Sequence, residues 1–216
     1  MDPAWRARVE RALAAPEPRR SSLPEGASAV LLLLLPKPEG LHALFTLRHQ
    51  ALARHAGQWS FPGGRIEAMD KGPADAALRE TEEEVGIPAR DVAVLGHLSD
   101  YTTYYGRLVC AYVGEALPRA PAPRIASADE VEDLRVLPVE AFLDAARYEG
   151  RCLPGPAVRG EDRVVHYWHF PGATIWGITA ELLARFLSRA YDWQPPRAPV
   201  EVPSAEAFRD LARRGL

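Results

Sequence analysis

The sequence predicts an α+β domain, because the chain combines strand-like and helix-like patterns. The apolar runs Ala27–Leu35 and Leu41–Leu47 flank a cluster of turn-forming residues, which is typical of a β-hairpin. From Pro73 to Val85 the pattern becomes helical, with a proline in the first turn and Gly86 directly after the end. Further strand patterns follow this helix, so we expect a mixed β-sheet with α-helices packed around it.

The other elements follow from periodicity, in chain order. Trp5, Val9 and Leu13 recur every fourth residue, which indicates a short N-terminal helix. Four strands and a helix are predicted after Pro88, at Val92–Leu98, Leu108–Val113, Val131–Leu137, Arg163–Phe170 and Thr179–Ala190. Ser204 can cap a last short helix. The predicted segments are a helix and linker (1–22), a main domain (23–192) and a proline-rich tail with a short helix (193–216).

Composition and charge narrow the class of protein. The chain has 216 residues, of which 47% are hydrophobic and 25% charged, as in ordinary globular proteins. Its net charge of −3 argues against a nucleic-acid polymer as partner, but a small anionic substrate needs only a few placed arginines. The apolar run 29–35 is shorter than the roughly 20 residues of a membrane span. We expect a cytoplasmic protein without a membrane partner, and a homodimer is left open.

The helix predicted after Pro73 carries an acidic cluster. Glu80, Glu83 and Glu84 are spaced i, i+3 and i+4, so they share one helix face. Like charges at this spacing destabilise an isolated helix by about 0.2–0.5 kcal/mol per pair. A hard divalent cation such as Mg²⁺ or Mn²⁺ would reverse that effect, because it binds carboxylate oxygens. Arg79 can pair with Glu83. A solvated acidic face is the alternative for the cluster taken alone.

The surrounding residues favour the metal-binding interpretation. Gly63 and Gly64 precede the helix, at a place where backbone must approach another group closely. The stretch from Gly64 through the acidic cluster to Ile87 resembles the Nudix box, G-x5-E-x7-R-E-U-x-E-E-x-G-U, where U is a bulky aliphatic residue. Two positions depart from it: the acidic residue is Asp70, separated from Arg79 by eight residues instead of seven, and Thr81 replaces an aliphatic residue.

The resemblance implies a Nudix fold, a mixed β-sheet sandwiched between α-helices with a loop–helix–loop that contains the box. It also implies Mg²⁺- or Mn²⁺-dependent cleavage of the pyrophosphate bond in a nucleoside diphosphate that is linked to another group. Glu80, Glu83 and Glu84 would be the metal ligands and Arg79 would support them. A late loop commonly adds a carboxylate in this family, and Glu130 is the candidate here.

The flanking segments resemble one branch of the family, the coenzyme A pyrophosphatases. The similarity lies in the stretch from Leu47 to Gly64 and in Ile175–Ala180, which is similar to a WG-x-TA motif. His49 stands where the branch has a small residue, and Ala53 stands where it has a second arginine, with Arg54 next to it. The branch implies cleavage of coenzyme A to 4′-phosphopantetheine and adenosine 3′,5′-bisphosphate.

Other readings stay open at this point. The substrate of a Nudix enzyme can also be ADP-ribose, a dinucleotide or an aberrant nucleotide, and a Nudix-like module can bind without catalysis. The residues predicted to bind the substrate are Arg48, Arg54, Gly63, Gly64 and Arg65. His166 and His169 are predicted on opposite faces of a strand. Tyr101, Tyr104 and Tyr105 are expected to pack in the core or at its rim, although they could stack on an adenine.

Overall fold

The computed structural model of the chain describes residues 4–14, 23–51, 56–103, 106–153 and 163–202. Within these ranges the predicted α+β class is confirmed, with three α-helices and two mixed β-sheets. The helices are α1 (Trp5–Leu13), α2 (Pro73–Val85) and α3 (Gly177–Tyr191). The strands are β1 (Ser28–Lys37), β2 (Gly40–Arg48), β3 (Trp59–Ser60), β4 (Gly63–Arg65), β5 (Val92–Thr102), β6 (Leu108–Ala116), β7 (Val131–Pro138), β8 (Tyr148–Leu153), β9 (Arg163–Phe170), β10 (Ala173–Trp176) and β11 (Val200–Glu201).

The first sheet is built around β1. This strand forms the predicted hairpin with β2, pairs antiparallel with the short strand β4, and runs parallel to β6. On the outer sides, β5 pairs with β6, and β7 and β3 pair with β2. Ala29 lies between Gly64 on one side and Cys110 on the other. The Gly63–Gly64 segment is therefore fixed directly beside the centre of the sheet.

A second sheet has the order β10-β9-β8-β11. One face of it, which carries Tyr148 and Trp168, packs into a core shared with α1, α3 and the first sheet. Helix α2 packs on the opposite face of the first sheet, through Ala76, Ala77 and Val85. The first sheet thus lies between α2 on one side and the second sheet with two helices on the other.

Several predicted boundaries need correction. Strand β5 continues to Thr102, because two register shifts, at Val94/Gly96 and His97/Ser99, interrupt its alternating pattern without ending the pairing. Strands β3, β4, β8, β10 and β11 were not predicted, and four of these are two to four residues long. The predicted linker, the last helix after Ser204, Arg54, Tyr104 and Tyr105 lie outside the described residues.

Two predictions about single side chains can be compared with the structure. Tyr101 is 8% exposed in the core, with the Arg185 guanidinium 5.6 Å from its ring, so it packs as predicted. His166 hydrogen-bonds to Tyr148 and His169 contacts Glu149, which places the two histidines on opposite faces of the second sheet. Among the described residues, no helix is long and apolar enough to cross a bilayer.

Candidate metal centre and active site

Helix α2 begins and ends where the sequence predicts. Pro73 occupies its first turn, and Gly86 ends it in the left-handed conformation with φ of 69°, where its N–H bonds the Glu82 carbonyl. Thr81 is fully buried and donates its hydroxyl to the Ala77 carbonyl at 2.7 Å. A threonine at this position therefore packs in place of the usual aliphatic residue without leaving a buried polar group unpaired.

The two glycines before the helix permit two close approaches. Gly63 has φ of 150°, and a Cβ built on it would lie 2.3 Å from the Ala29 carbonyl oxygen. A Cβ on Gly64 would lie 2.5 Å from the carboxylate of Glu80. Gly63 therefore lets β4 pair closely with β1, and Gly64 leaves room for an acidic side chain of α2 against the backbone.

Three carboxylates meet beside Gly63 and Gly64 of β4. Glu80, Glu84 and Glu130 each place one oxygen so that all three atoms lie within 4.8 Å of one another. The Glu80 side chain is 12% exposed and Glu84 is 2% exposed, whereas Glu130 is exposed. Because burial penalises the charged form, it raises the pKa of Glu84 to about 8, opposed mainly by the positive charge of Arg48. Burial also raises the pKa of Glu80, although Arg79 opposes it.

Glu83 takes a different place from the other two box glutamates. Its side chain is 56% exposed and accepts a hydrogen bond from Nη1 of Arg79 at 3.0 Å, which is the pair that the sequence predicts. It lies outside the group formed by Glu80, Glu84 and Glu130. Its role as a metal ligand therefore stays a prediction.

Arg79 also has a partner that the sequence analysis missed. The Asp70 side chain is 2% exposed and accepts two hydrogen bonds from the guanidinium, at 2.9 and 3.1 Å, and one from the Glu67 backbone at 2.7 Å. Arg79 further donates to Glu80 and to the Arg65 carbonyl. The signal was present in the sequence, because Asp70 occupies the first acidic position of the box.

We expect Asp70→Asn to destabilise the protein by about 1.5–3 kcal/mol, the range for a hydrogen bond to a charged group. The Arg79 hydrogen bonds hold the pKa of Asp70 below its usual value, so its contribution is present at neutral pH and lost as the pH falls through that lowered pKa. Thermal unfolding of both proteins at pH 7 and at pH 3 measures this. An equal stability difference at both pH values would contradict the assignment.

The predicted substrate-binding arginines differ in their surroundings. Arg48 ends β2 and is partly buried, and its Nε is buried without a hydrogen-bond partner among the described residues. Its charge acts on Glu84, so it lies beside the carboxylate group. Arg65 is exposed on β4. Arg54 lies outside the described residues.

Comparison with known proteins agrees with this geometry. The model of the NUDIX domain matches residues 26–154, which include the whole acidic group. The chain belongs to the Nudix family. A protein of Photorhabdus laumondii named "uncharacterized Nudix hydrolase NudL" is 34% identical over 168 residues, which cover 78% of this chain and 87% of that protein. A NudL of Yersinia pestis is 36% identical over 156 residues, 72% of this chain and 75% of that protein.

The fold of this Nudix protein is also found among solved structures. A MutT/nudix family protein from Enterococcus faecalis superimposes with a TM-score of 0.50 over 84% of this chain and 68% of that chain, at 15% identity. The Nudix fold that the box implied is therefore confirmed. The chain is a Nudix hydrolase, an enzyme that acts on pyrophosphate bonds in small nucleotide derivatives, and Nudix hydrolases generally use divalent metal ions.

The residues of this Nudix hydrolase fit such an ion. Glu80, Glu84 and Glu130 offer oxygen ligands, which hard cations prefer. The Oε2 atom of Glu84 is buried without a hydrogen-bond partner among the described residues, and a buried polar atom of this kind requires an explanation. A cation held by the three carboxylates would provide one, because it would stabilise the buried charge.

Proposed function

We propose that this Nudix hydrolase cleaves the pyrophosphate of coenzyme A, with Mg²⁺ or Mn²⁺, to 4′-phosphopantetheine and adenosine 3′,5′-bisphosphate. The observation that carries the proposal is the group of Glu80, Glu84 and Glu130 beside Arg48, whose Nε has no hydrogen-bond partner among the described residues. The resemblance of residues 47–64 and 175–180 to the coenzyme A pyrophosphatase motifs supports this substrate over other nucleotide pyrophosphates.

The mechanism follows from the chemistry of the carboxylate group. A divalent cation supplies Lewis-acid chemistry there, because it neutralises pyrophosphate charge and makes water more acidic. Glu80, Glu84 and Glu130 would hold the ion, and Arg79 would fix Glu80 through its hydrogen bond. Water attacks one phosphorus in line, the bond to the bridging oxygen breaks, and a carboxylate of the group accepts the proton. Arg48 would bind the pyrophosphate oxygens through its guanidinium.

The assignment of the substrate is tested with a panel of nucleotide pyrophosphates. Coenzyme A, oxidised coenzyme A, ADP-ribose and a dinucleoside polyphosphate are incubated with the protein and Mg²⁺ or Mn²⁺, and products are separated by chromatography. We expect release of adenosine 3′,5′-bisphosphate from both coenzyme A forms. If ADP-ribose or the dinucleotide is hydrolysed and coenzyme A is not, the assignment of the substrate is wrong, whereas the assignment of pyrophosphate hydrolysis still holds. Absence of turnover on every member would favour a binding module.

Two arginines are expected to recognise different phosphates of coenzyme A. Arg48 lies beside Glu84. Arg48→Ala should therefore weaken the binding of coenzyme A and of its 3′-dephospho form equally, since both substrates carry the pyrophosphate. Arg54 stays the candidate for the 3′-phosphate, so Arg54→Ala should raise KM for coenzyme A alone. Charge-assisted hydrogen bonds are worth about 1.5–3 kcal/mol, so the loss of one should raise KM by about ten- to a hundredfold.

Steady-state kinetics of both variants on both substrates measure this difference. Arg65→Ala is measured beside them, because Arg65, exposed on β4, is the third arginine predicted to bind the substrate. If Arg48→Ala raises KM for coenzyme A alone, Arg48 contacts the 3′-phosphate and not the pyrophosphate. If Arg54→Ala raises KM for both substrates equally, Arg54 does not recognise the 3′-phosphate.

A further inference from the structure

The segment that carries Glu130 is a long connection between two strands of the first sheet. Strand β6 ends at Ala116 and β7 begins at Val131, and residues 117–130 form neither a helix nor a strand. Long irregular connections in compact domains are usually functional. Three prolines, Pro118, Pro121 and Pro123, restrict the backbone of this segment.

The middle of this connection is bound to the C-terminal end of α2. The backbone N–H of Arg124 donates to the Val85 carbonyl at 3.1 Å, and that of Ala126 donates to the Glu84 carbonyl at 3.0 Å. The last carbonyls of a helix have no partner within the helix, so these bonds satisfy two of them. The connection is therefore hydrogen-bonded to the residue whose side chain belongs to the carboxylate group.

The Arg124 side chain adds a contact at the same place. It lies over Gly86, where a Cβ would meet its Nε at 3.2 Å and its Cζ at 3.3 Å. A guanidinium near the end of a helix interacts favourably with the negative end of the helix dipole. The absence of a side chain at Gly86 thus leaves space for a cation of the connection against the end of α2.

The last residue of the connection is hydrogen-bonded to the segment that follows β2. The Glu130 carbonyl accepts a hydrogen bond from the His49 N–H at 2.8 Å, and Val131 N–H bonds the Ser127 carbonyl at 2.9 Å. Together with the contacts to α2, these bonds restrain the backbone that carries the Glu130 side chain. Helix α2 therefore carries two carboxylates and also holds the segment that brings the third.

We propose that Arg124 is a positioning residue, which holds residues 117–130 against the end of α2 and thereby keeps Glu130 within the carboxylate group. The inference rests on the proposed role of Glu130 in binding the divalent ion. Arg124 itself is not expected to touch the substrate or the ion.

The variant Arg124→Ala tests this with two readouts. We expect about ten- to a hundredfold weaker binding of Mn²⁺, measured by the electron paramagnetic resonance of free Mn²⁺, and a similar fall in kcat at fixed Mg²⁺, the range for residues that support metal ligands. Arg124→Lys keeps a cation near the helix end and should recover part of the loss. Because Arg124 is exposed, the melting temperature should stay within about 2 °C.

Arg119→Ala is the matched control, because Arg119 lies in the same connection but pairs with Asp91 at 2.7 Å. It should leave Mn²⁺ binding unchanged. In a Glu130→Gln background, Arg124→Ala should cause no further loss of Mn²⁺ affinity, because it acts through Glu130. The proposal would be overturned if the loss of Mn²⁺ affinity in the double variant equalled the product of the losses in the two single variants. Normal Mn²⁺ binding in Arg124→Ala would overturn it as well. Normal Mn²⁺ binding and activity in Glu130→Gln alone would instead refute the role of Glu130 on which the inference rests.

Discussion

Replacing Glu84 with Gln is expected to lower kcat by at least about 10²-fold, because a metal supplies several kcal/mol of transition-state stabilisation that a neutral amide cannot support. Glu84 is the most buried member of the carboxylate group, and its Oε2 atom has no protein partner among the described residues. Steady-state hydrolysis at saturating Mg²⁺ measures the effect. Near-normal turnover would show that Glu84 is not a ligand.

The same variant should not weaken the fold. Burial raises the pKa of Glu84 to about 8, so the folded protein favours its neutral form. Without metal, the wild-type protein should therefore lose stability as the pH rises from the unfolded pKa of Glu through about 8. Glu84→Gln has no such charge, and its metal-free form should be at least about 2–4 °C more stable at pH 8. A lower melting temperature than wild type at pH 8 would contradict this account.

The second large effect is expected from Gly64→Ala, which should lower kcat by about 10²-fold or more by the same loss of metal stabilisation. Its Cβ would lie 2.5 Å from the Glu80 carboxylate, so Glu80 must leave its position in the carboxylate group. Gly64 has no positive φ, so alanine fits its backbone and the protein should remain folded. Activity and melting temperature measure the two expectations separately.

Two neighbouring glycines provide controls for this variant. A Cβ on Gly72 would meet no atom of the described residues within 4 Å, and its φ of 167° is ordinary extended backbone, so Gly72→Ala should keep full activity. Gly63→Ala should instead destabilise the whole protein, because its Cβ would collide with the Ala29 carbonyl oxygen at 2.3 Å. Unchanged activity in Gly64→Ala would contradict the position given to Glu80.

The elements that the sequence predicts well are those with local signals. Both ends of helix α2 could be predicted from the sequence, because Pro73 and Gly86 determine them through their own backbone preferences. Strand β8 was missed, since Glu149, Gly150 and Arg151 in its middle do not have the alternation of a half-buried strand. Its pairing with β9 depends on contacts between residues that are far apart in sequence.

The candidate site shows the same division. The spacing of Glu80 and Glu84 is local, so the sequence predicts that they share a helix face. Glu83 has the same local spacing, yet it lies outside the group and accepts a hydrogen bond from Arg79. The approach of Glu130 depends on the contacts of residues 117–130 with α2, which no periodicity reveals. Family resemblance, and not spacing, was the reason to expect Glu130 there.

The central claim is that Glu80, Glu84 and Glu130 bind the divalent ion of this Nudix hydrolase. Titration of metal-free protein with Mn²⁺, followed by electron paramagnetic resonance, tests it most directly, with Glu84→Gln, Glu130→Gln and Glu83→Gln beside the wild type. We expect saturable binding in the wild type, no saturation over the same range in Glu84→Gln, weaker but still measurable binding in Glu130→Gln, and a smaller loss in Glu83→Gln. Wild-type affinity in Glu84→Gln and Glu130→Gln, with binding lost in Glu83→Gln, would contradict the claim.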